Sequence, residues 1–358
     1  MSPKTVRLFE PFTLRGLHLR NRIGVSPMCM YSAGDGLVGA WHLAHLGSRA
    51  VGGAGLVMAE ATGVEARGRI TPGCPGLWTD AQAEAWAPVA AFIKAQGAAA
   101  GIQLAHAGRK ASAALPWAGG GHLEEAQGGW TTVAPSALAF GGPLGRVPQA
   151  LDGSGITQVR EAFSAAAGRA LAAGFNWIEL HAAHGYLLHQ FLSPLSNRRT
   201  DEYGGSFANR ARLLLQVVED LRAVWPERLP LAVRLSCTDW EPGGWDLEQS
   251  LELAPLLKAR GVDLLDCSSG GLTPTAKIPV GPGYQVPFAE ALRRSGIPTS
   301  AVGLITEAAQ AEEILSQGRA DQILLARAEL RDPYWPVHAA HSLGVPELCK
   351  LPVQYGRA

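Results

Sequence analysis

Short apolar segments recur along the chain and are separated by longer stretches in which apolar residues return at helical spacing. Most of the eight short segments are nearly continuous apolar runs, as expected for parallel strands that are covered by helices. They span residues 23–27, 55–60, 100–105, 177–182, 231–236, 263–269, 299–303 and 322–327. We therefore predict eight strands of one parallel sheet.

The stretches between these strands have the spacing of amphipathic helices. In residues 81–96, for example, Trp86, Val89 and Ile93 share one face. Helices are predicted at residues 81–96, 157–173, 208–224, 248–260 and 306–317. Glycines that suit a left-handed helix end follow at Gly97, Gly174, Gly261 and Gly318. The repeated order of helix, glycine and strand predicts an α/β fold, a single TIM-type (β/α)8 barrel domain over residues 1–358.

One long segment, residues 107–154, interrupts this order. It is rich in glycine and proline and has no helical pattern. A connection of this length inside a compact domain is usually functional or mobile. We predict that it caps the C-terminal mouth of the barrel after the third strand; the alternative is a disordered surface insertion. The tail, residues 344–358, is also irregular.

Amino-acid composition narrows the binding partners and the cellular compartment that we expect for this protein. Hydrophobic residues make up 47% of the chain, and basic and acidic residues balance at 31 each, which disfavours nucleic acid but leaves room for a local phosphate pocket. No apolar run approaches the roughly 18 residues of a membrane span. The N-terminus, MSPKTVRLFEPF, lacks the apolar region of a secretion signal. We expect a cytoplasmic protein with no membrane partner.

The five cysteines are scattered, with no C-x-x-C pair. Such usage favours reduced thiols over a disulfide framework or a structural zinc site. They are Cys29, Cys74, Cys237, Cys267 and Cys349.

Polar residues collect at the predicted C-terminal ends of the strands, where barrels of this type carry their active sites. Gln103, Arg234 and Arg327, with a glycine turn at Gly303, suit a flat polar heterocycle that bears a phosphate. Backbone N–H groups after the seventh and eighth strands are the recurrent phosphate site of this fold. Arg327 would grip the phosphate through two parallel hydrogen bonds, and Gln103 and Arg234 would face the heterocycle edge.

His181 and His184 lie three residues apart just past the fourth strand, so their rings can converge on one point. Two imidazole N–H donors on one carbonyl oxygen would polarise an enone and stabilise the developing enolate. Tyr186 is placed to act as the acid for the α-carbon. Taken alone, the pair also suits a metal-dependent barrel hydrolase with a carboxylate as third ligand, although the proposed chemistry needs no metal.

Four motifs carry a resemblance to a known family: SPMCMYS (26–32), GIQLAHAGRK (101–110), HAAHGYLLHQFLSPLSNRRTDEYGGS (181–206) and VQYGR (353–357). The chain resembles the Old Yellow Enzyme family, and within it the thermophilic-like branch, from about residue 7 to residue 357. The resemblance implies tightly but non-covalently bound FMN, reduced by NADPH or NADH. It implies an ene-reductase that acts on enones, enals, maleimides or nitroalkenes, with hydride transfer from flavin N5 and protonation by Tyr186.

The resemblance also assigns roles to individual residues. His181 and His184 would bind the substrate carbonyl or a phenolic ligand, with Tyr31 as a further ligand. Flavin contacts carried over are Ser26, Pro27, Met28, Ala61, Gln103, Arg234, Gly303, Ala326 and Arg327, and the Cys29 thiol would tune the redox potential. Tyr355 and Arg357 would reach the active site of a neighbouring subunit in a homodimer or homotetramer.

Two departures and two rivals accompany the resemblance. Relatives usually carry glycine where this chain has Ala326, and the added methyl is expected to weaken FMN retention slightly. The tail ends one residue after Arg357, whereas relatives often continue to an aromatic residue. A non-catalytic FMN-storage or redox-sensing protein is the rival within flavoproteins; the iron–sulfur dienoyl-CoA reductase type is disfavoured because the cysteines do not cluster and no second domain is predicted.

Overall fold

A computed structural model describes residues 6–357 and shows a closed barrel of parallel strands. The strands are β1 (Phe12–Leu14), β2 (Leu17–Leu19), β3 (Ile23–Val25), β4 (Leu56–Gly63), β5 (Ala99–Ala105), β6 (Val133–Ala134), β7 (Gln149–Ala150), β8 (Trp177–Ala182), β9 (Leu231–Ser236), β10 (Leu264–Ser268), β11 (Thr299–Ala301) and β12 (Gln322–Leu325). The barrel order is β3-β4-β5-β8-β9-β10-β11-β12, closing from β12 back to β3. All eight predicted strands are present, which confirms the predicted TIM-barrel fold.

Helices surround the barrel: α1 (Ala40–Val51), α2 (Asp80–Ala95), α3 (Gly153–Ala172), α4 (Leu187–Leu192), α5 (Phe207–Val224), α6 (Leu247–Ala259), α7 (Val286–Arg293), α8 (Ala308–Ser316), α9 (Arg327–Arg331) and α10 (Trp335–Ser342). The five predicted helices are α2, α3, α5, α6 and α8. Helix α3 begins four residues earlier than predicted, because the Asp152 carboxylate caps it by accepting the Gly155 N–H at 2.7 Å.

The glycine that follows each of four predicted helices has a positive φ, between +69° and +89°. This is the left-handed conformation expected at a helix end, and each chain turn leads into the next strand. Helices α1, α4, α7, α9 and α10 were not predicted. Helices α4 and α9 have only six and five residues, too few to show a period.

Apolar side chains close the N-terminal end of the barrel. The antiparallel hairpin of β1 and β2 packs Phe12, Leu14 and Leu19 against residues near the strand starts, among them Trp177 and Leu264. A larger cluster fills the space between the barrel strands and the helices. Because the lower end is apolar and closed, the polar interior is restricted to the opposite mouth.

The segment 107–154 lies on the C-terminal side of the barrel, as predicted for a cap. It contains three short 3-10 helices and the parallel pair β6–β7. The Arg69 guanidinium lies over the rings of Trp78 and Trp130, at 5.4 and 4.8 Å from the centroids. Buried Arg109 donates to the carbonyls of Leu138 and Leu272. These contacts attach the segment to loops of the barrel, and its role as a cap stays a prediction.

Residues 1–5, which form part of the N-terminal segment assessed for a secretion signal, lie outside the described residues, as does Ala358 at the end of the tail. Among residues 6–357, no helix combines the length and the apolar character needed to cross a membrane.

Replacing Trp86 with alanine should lower the free energy of unfolding by about 3–5 kcal/mol, because its side chain is fully buried between α2 and the barrel. Trp41→Ala, at a tryptophan that is 56% exposed, is the matched control and should cost far less. Denaturant unfolding followed by circular dichroism measures both. Equal losses in the two variants would contradict this account of the core.

Candidate active site

The interior of the barrel becomes charged towards its C-terminal mouth. Arg234 on β9 lies between His181 on β8 and Asp266 on β10 in the strand register. Its Nε is 3.0 Å from the Asp266 carboxylate, and both side chains are buried. On the neighbouring strands, Gln103 Nε2 donates to Glu179 Oε1 at 2.7 Å. One guanidinium and two carboxyl groups therefore form a buried polar layer below the mouth.

Burial sets the protonation of this layer. It raises the pKa of Asp266, while the Arg234 charge opposes the rise. Burial also raises the pKa of Glu179; the nearby Asp266 charge adds to this, and Arg234 and the Gln103 hydrogen bond oppose it. Because a single cation faces two buried carboxyl groups, a proton retained by one of them keeps the layer close to neutral.

Next to this layer is a cavity of about 210 Å³ whose lining includes four predicted cofactor residues, Arg234, Gly303, Ala326 and Arg327. Gly303 has φ +119°, and a Cβ there would lie 3.0 Å from Gln285 Nε2, so the backbone can approach a ligand only with glycine at this position. Ala326, the N-cap residue of α9, has φ −110° and ψ −91°. The Arg327 guanidinium and the Gly303 turn provide donors that suit a phosphate, and the Arg234 guanidinium lines the same cavity.

The other predicted cofactor residues border the same mouth. Ser26 donates its backbone N–H to Leu325 at 2.8 Å, which places the segment Ser26–Pro27–Met28 beside the end of β12. Ala61 lies at a register shift in β4 and pairs with Gln103 on β5. Gln103 and Arg234 can face the polar edge of a flavin ring, and a phosphate cradle formed by Gly303, Ala326 and Arg327 lies next to them. This set of residues fits FMN.

The two histidines meet as predicted. Their rings are nearly perpendicular, with centroids 5.0 Å apart, and His181 Nε2 lies 3.4 Å from His184 Nδ1. Tyr186 packs its ring edge-on against His181, at 4.8 Å between centroids. His184 adopts φ +55°. The Lys110 ammonium holds this turn by donating to the carbonyls of His184 and Gly271 at 2.8 and 3.0 Å.

A backbone hydrogen bond assigns the tautomer of His181, and a hydroxyl group is the partner of His184. The Ala183 N–H donates to His181 Nδ1 at 3.3 Å, so the proton of His181 is on Nε2. His184 Nε2 lies 2.6 Å from the Ser268 hydroxyl, which also lies 3.3 Å from Gln285 Oε1. The Ser268 hydroxyl can accept from a protonated His184 Nε2 or donate to an unprotonated one, so this contact is compatible with either tautomer of His184.

The same surroundings determine the charge of the three groups. Burial, and then the Arg234 charge, lower the pKa values of His181 and His184 well below the usual range, so both rings are neutral. Burial raises the pKa of Tyr186 well above its usual value, so its hydroxyl retains the proton. The site thus presents neutral N–H donors beside a protonated phenol.

Tyr31 and Cys29 lie on the loop after β3. Tyr31 has φ +51°, and its ring lies 6.3 Å from that of Trp117 in the cap. The Tyr31 hydroxyl interacts with the Cys29 thiol, which opposes the burial-driven rise in the pKa of the thiol and adds to the rise in the pKa of the phenol.

Two predicted ligands are not in the site of their own chain. Tyr355 and Arg357 are exposed, and the Tyr355 hydroxyl accepts a hydrogen bond from Tyr334 at 3.4 Å. Within the described residues, no hydrogen bond, ion pair or ring contact joins either of them to His181, His184 or Tyr186.

Sequence reasoning missed the residues that support the site. Glu179 and Asp266 are single acidic residues inside otherwise apolar strands, WIELHA and LLDCS. An isolated acidic residue in such a strand is a sequence signal that could have identified both. Ser268 is one of the polar residues at the predicted C-terminal end of the sixth strand, but the sequence gives it no individual role. The metallohydrolase alternative required a carboxylate beside the two histidines, where the structure has the Ser268 hydroxyl; in residues 6–357 no three His, Cys, Asp or Glu side chains are grouped to hold a metal ion.

The structure is a TIM barrel whose mouth carries a phosphate-binding turn, the polar side chains of Gln103 and Arg234, and two neutral imidazoles. These are the features of a flavin-binding oxidoreductase. The chain belongs to the NADH:flavin oxidoreductase / NADH oxidase family, whose sequence profile matches residues 7–345. It is thus an FMN-dependent oxidoreductase of the Old Yellow Enzyme type that uses a nicotinamide nucleotide as reductant.

Individual relatives agree with this assignment. The chain is 48% identical to an NADPH dehydrogenase of Geobacillus thermodenitrificans, over 98% of both chains. It is 46% identical to an NADPH dehydrogenase of Halalkalibacterium halodurans, also over 98% of both. Among solved structures, morphinone reductase is 30% identical, with a TM-score of 0.78 over 96% of this chain and 91% of the other. The old yellow enzyme homologue from Zymomonas mobilis is 27% identical, with a TM-score of 0.77 over 97% of both.

Replacing Gly303 with alanine should weaken FMN retention by about tenfold or more, because the new Cβ meets Gln285 and the backbone must leave φ +119°. FMN dissociation constants from fluorescence titration measure the effect. Gly281→Ala is the control, since a Cβ at Gly281 meets nothing within 4 Å. Equal FMN affinity in the two variants would contradict the assignment of Gly303 to the phosphate-binding site.

Proposed function

We propose that this protein is an ene-reductase that reduces the activated C=C bonds of enones, enals, maleimides or nitroalkenes. The observation that carries the proposal is the cluster of two neutral imidazoles and a protonated tyrosine beside the cofactor cradle. FMN, when bound, supplies the hydride that it has received from NADPH or NADH. The relatives named NADPH dehydrogenase support NADPH as the reductant.

The residues of the cradle and the barrel layer would hold FMN between them. Arg327 and the backbone around Gly303 would bind the phosphate, and Ala326 begins helix α9 at that point. Gln103 and Arg234 would face the polar edge of the ring system. Ser26, Pro27, Met28, Cys29 and Ala61 border the mouth on the β3–β4 side.

His181 and His184 hold the substrate oxygen. Nε2 of His181 and Nδ1 of His184 lie 3.4 Å apart, so one substrate oxygen placed beside the pair would be within reach of both nitrogens. Two donors require the His184 proton on Nδ1, and the Ser268 hydroxyl then donates to Nε2 across the same 2.6 Å. Ser268 can serve either tautomer because a hydroxyl both donates and accepts. The pair thereby stabilises negative charge that develops on the oxygen.

Tyr186 delivers the proton to the α-carbon. A general acid must hold its proton until the transition state, and burial keeps this phenol protonated. Its ring is fixed by His181 on one side and by the Lys110 ammonium, 5.0 Å from the ring centroid, on another. The hydroxyl therefore stays in a defined position relative to the oxygen site.

Replacing both His181 and His184 with alanine should slow reoxidation of the reduced protein by 2-cyclohexenone about 100-fold or more, because both oxyanion donors are lost. Stopped-flow absorbance measures the rate. FMN content should remain close to that of the wild type, and exposed His341→Ala is the control. A wild-type rate in the double variant would refute the role of the pair. A yellow wild-type protein that never turns over cyclohexenone with NADPH would instead support the FMN-storage rival.

We infer that the active form is a homodimer or homotetramer in which Tyr355 and Arg357 complete a neighbouring subunit's site. Support comes from the motif resemblance of the tail and from its exposure: Val353 is 90% exposed, an unfavourable state for an apolar side chain that has no covering partner. A cytoplasmic location is supported by the five cysteines, which are all free thiols.

Mixing Arg357→Ala with Tyr186→Phe subunits tests the shared site. Each mixed dimer would contain one complete site, so a statistical mixture should recover about a quarter of wild-type activity. Turnover is measured after the subunits exchange, with the unmixed variants as controls. Activity equal to the average of the two variants would show that Arg357 does not act in trans.

A further inference from the structure

Glu60 is a buried acidic residue that the proposed mechanism does not use. It lies in β4, one residue before Ala61, and its side chain is 3% exposed. Its Oε2 accepts the backbone N–H groups of Met30 at 2.9 Å and Tyr31 at 3.3 Å. The carboxylate therefore binds the loop that carries both Cys29 and Tyr31.

The second oxygen of Glu60 faces His42 on helix α1. The Gly39 N–H donates to His42 Nδ1 at 3.2 Å, so the His42 proton is on Nε2, which lies 3.6 Å from Glu60 Oε1. The edge contact of His42 with Trp86, at 5.6 Å, fixes the ring. Glu60 thus accepts two backbone hydrogen bonds through one carboxylate oxygen, while the other oxygen lies near the His42 ring without a hydrogen bond to it.

The loop needs this support because Tyr31 adopts φ +51°, a conformation that is unfavourable for an aromatic residue. The two N–H bonds to Glu60 fall at this turn. Without them the turn can relax to a negative φ, which would move the Tyr31 hydroxyl and the neighbouring thiol away from the mouth.

We propose that Glu60 is the positioning residue of this loop: its carboxylate fixes the Met30–Tyr31 turn through two backbone hydrogen bonds and thereby stands against the residue next to Cys29, where it disfavours a second negative charge on the thiol. The effect of Glu60 on the Cys29 thiol is independent of the proposed function. The effect of Glu60 on ligand binding rests on that function, because it requires Tyr31 to contact the substrate.

The groups that face Cys29 support the electrostatic part. Burial raises the pKa of the thiol well above its usual value, and the charge of Glu60 and the neighbouring Cys74 add to this. The hydrogen bonds from Tyr31 and from the Ala61 backbone oppose the rise, and Tyr186 is a further titratable neighbour. Of these groups Glu60 alone is a carboxylate, so removing its charge isolates the effect.

Alkylation of Cys29 tests the charge. The FMN-loaded wild type and Glu60→Gln are treated with iodoacetamide from pH 7 to 9.5, and modification at Cys29 is quantified by mass spectrometry. Cys29 is partly exposed and the other four cysteines are buried. Glutamine keeps an oxygen for the two N–H groups but carries no charge, so Cys29 should react about tenfold faster at a given pH. Glu84→Gln, at an exposed carboxylate of α2, should react like the wild type. Equal rates in wild type and Glu60→Gln would overturn the electrostatic role.

Ligand binding tests the positioning. The dissociation constant of p-hydroxybenzaldehyde should rise about tenfold in Glu60→Ala, which loses the acceptor, and less than about threefold in Glu60→Gln. In a Tyr31→Phe background, Glu60→Ala should add little, because its effect passes through Tyr31. Unchanged affinity in Glu60→Ala, or an undiminished effect in the Tyr31→Phe background, would overturn the positioning role.

The alkylation experiment and the ligand-binding experiment together separate the role of Glu60 from the proposed function. If Tyr31→Phe alone leaves ligand affinity unchanged, the assignment of Tyr31 as a ligand fails, and the alkylation profile still decides the role of Glu60. Should Glu60→Ala not fold, the Glu60→Gln alkylation profile decides the proposal without it.

Discussion

The buried charge of Arg234 is the constraint on which the site depends. A guanidinium inside a barrel is several kcal/mol less stable than in water unless it is paired, and Asp266 on the adjacent strand supplies that partner. The same positive charge also acts on the strand on the other side, β8, and on the turn after it, where it adds to burial in keeping His181 and His184 neutral. Arg234 therefore contributes both to the charge of the buried polar layer and, after burial itself, to the neutral state of the two imidazoles.

Two strained turns bring side chains to the mouth of the barrel, and each is held from a neighbouring element. His184 has φ +55° and is held by the Lys110 ammonium and by Ser236, which accepts its backbone N–H at 2.9 Å. Tyr31 has φ +51° and is held by Glu60. Unusual backbone conformations persist where surrounding hydrogen bonds determine them. His184 and Tyr31 thus stand on loops whose geometry is held by hydrogen bonds from neighbouring elements.

The family assignment and the site geometry constrain different levels of function. Membership in the NADH:flavin oxidoreductase / NADH oxidase family establishes the cofactor and the class of redox chemistry. The histidine pair, its Ser268 partner and the protonated Tyr186 narrow the proposal to a substrate that bears an oxygen conjugated to a C=C bond. The cap adds a further boundary through Trp117, which lies beside Tyr31.

The amino-acid sequence by itself determined the eight strands, because each is a local apolar run, and it located the polar residues at their ends. It also indicated the roles of His181, His184 and Tyr186 through one continuous motif. Only the tertiary structure decided which distant residues meet: Ser268 reaches His184 across 84 positions, Glu60 binds the loop at Met30, and Asp266 balances Arg234. These pairings follow from the register of strands around a closed barrel, and no local pattern in the chain encodes that register.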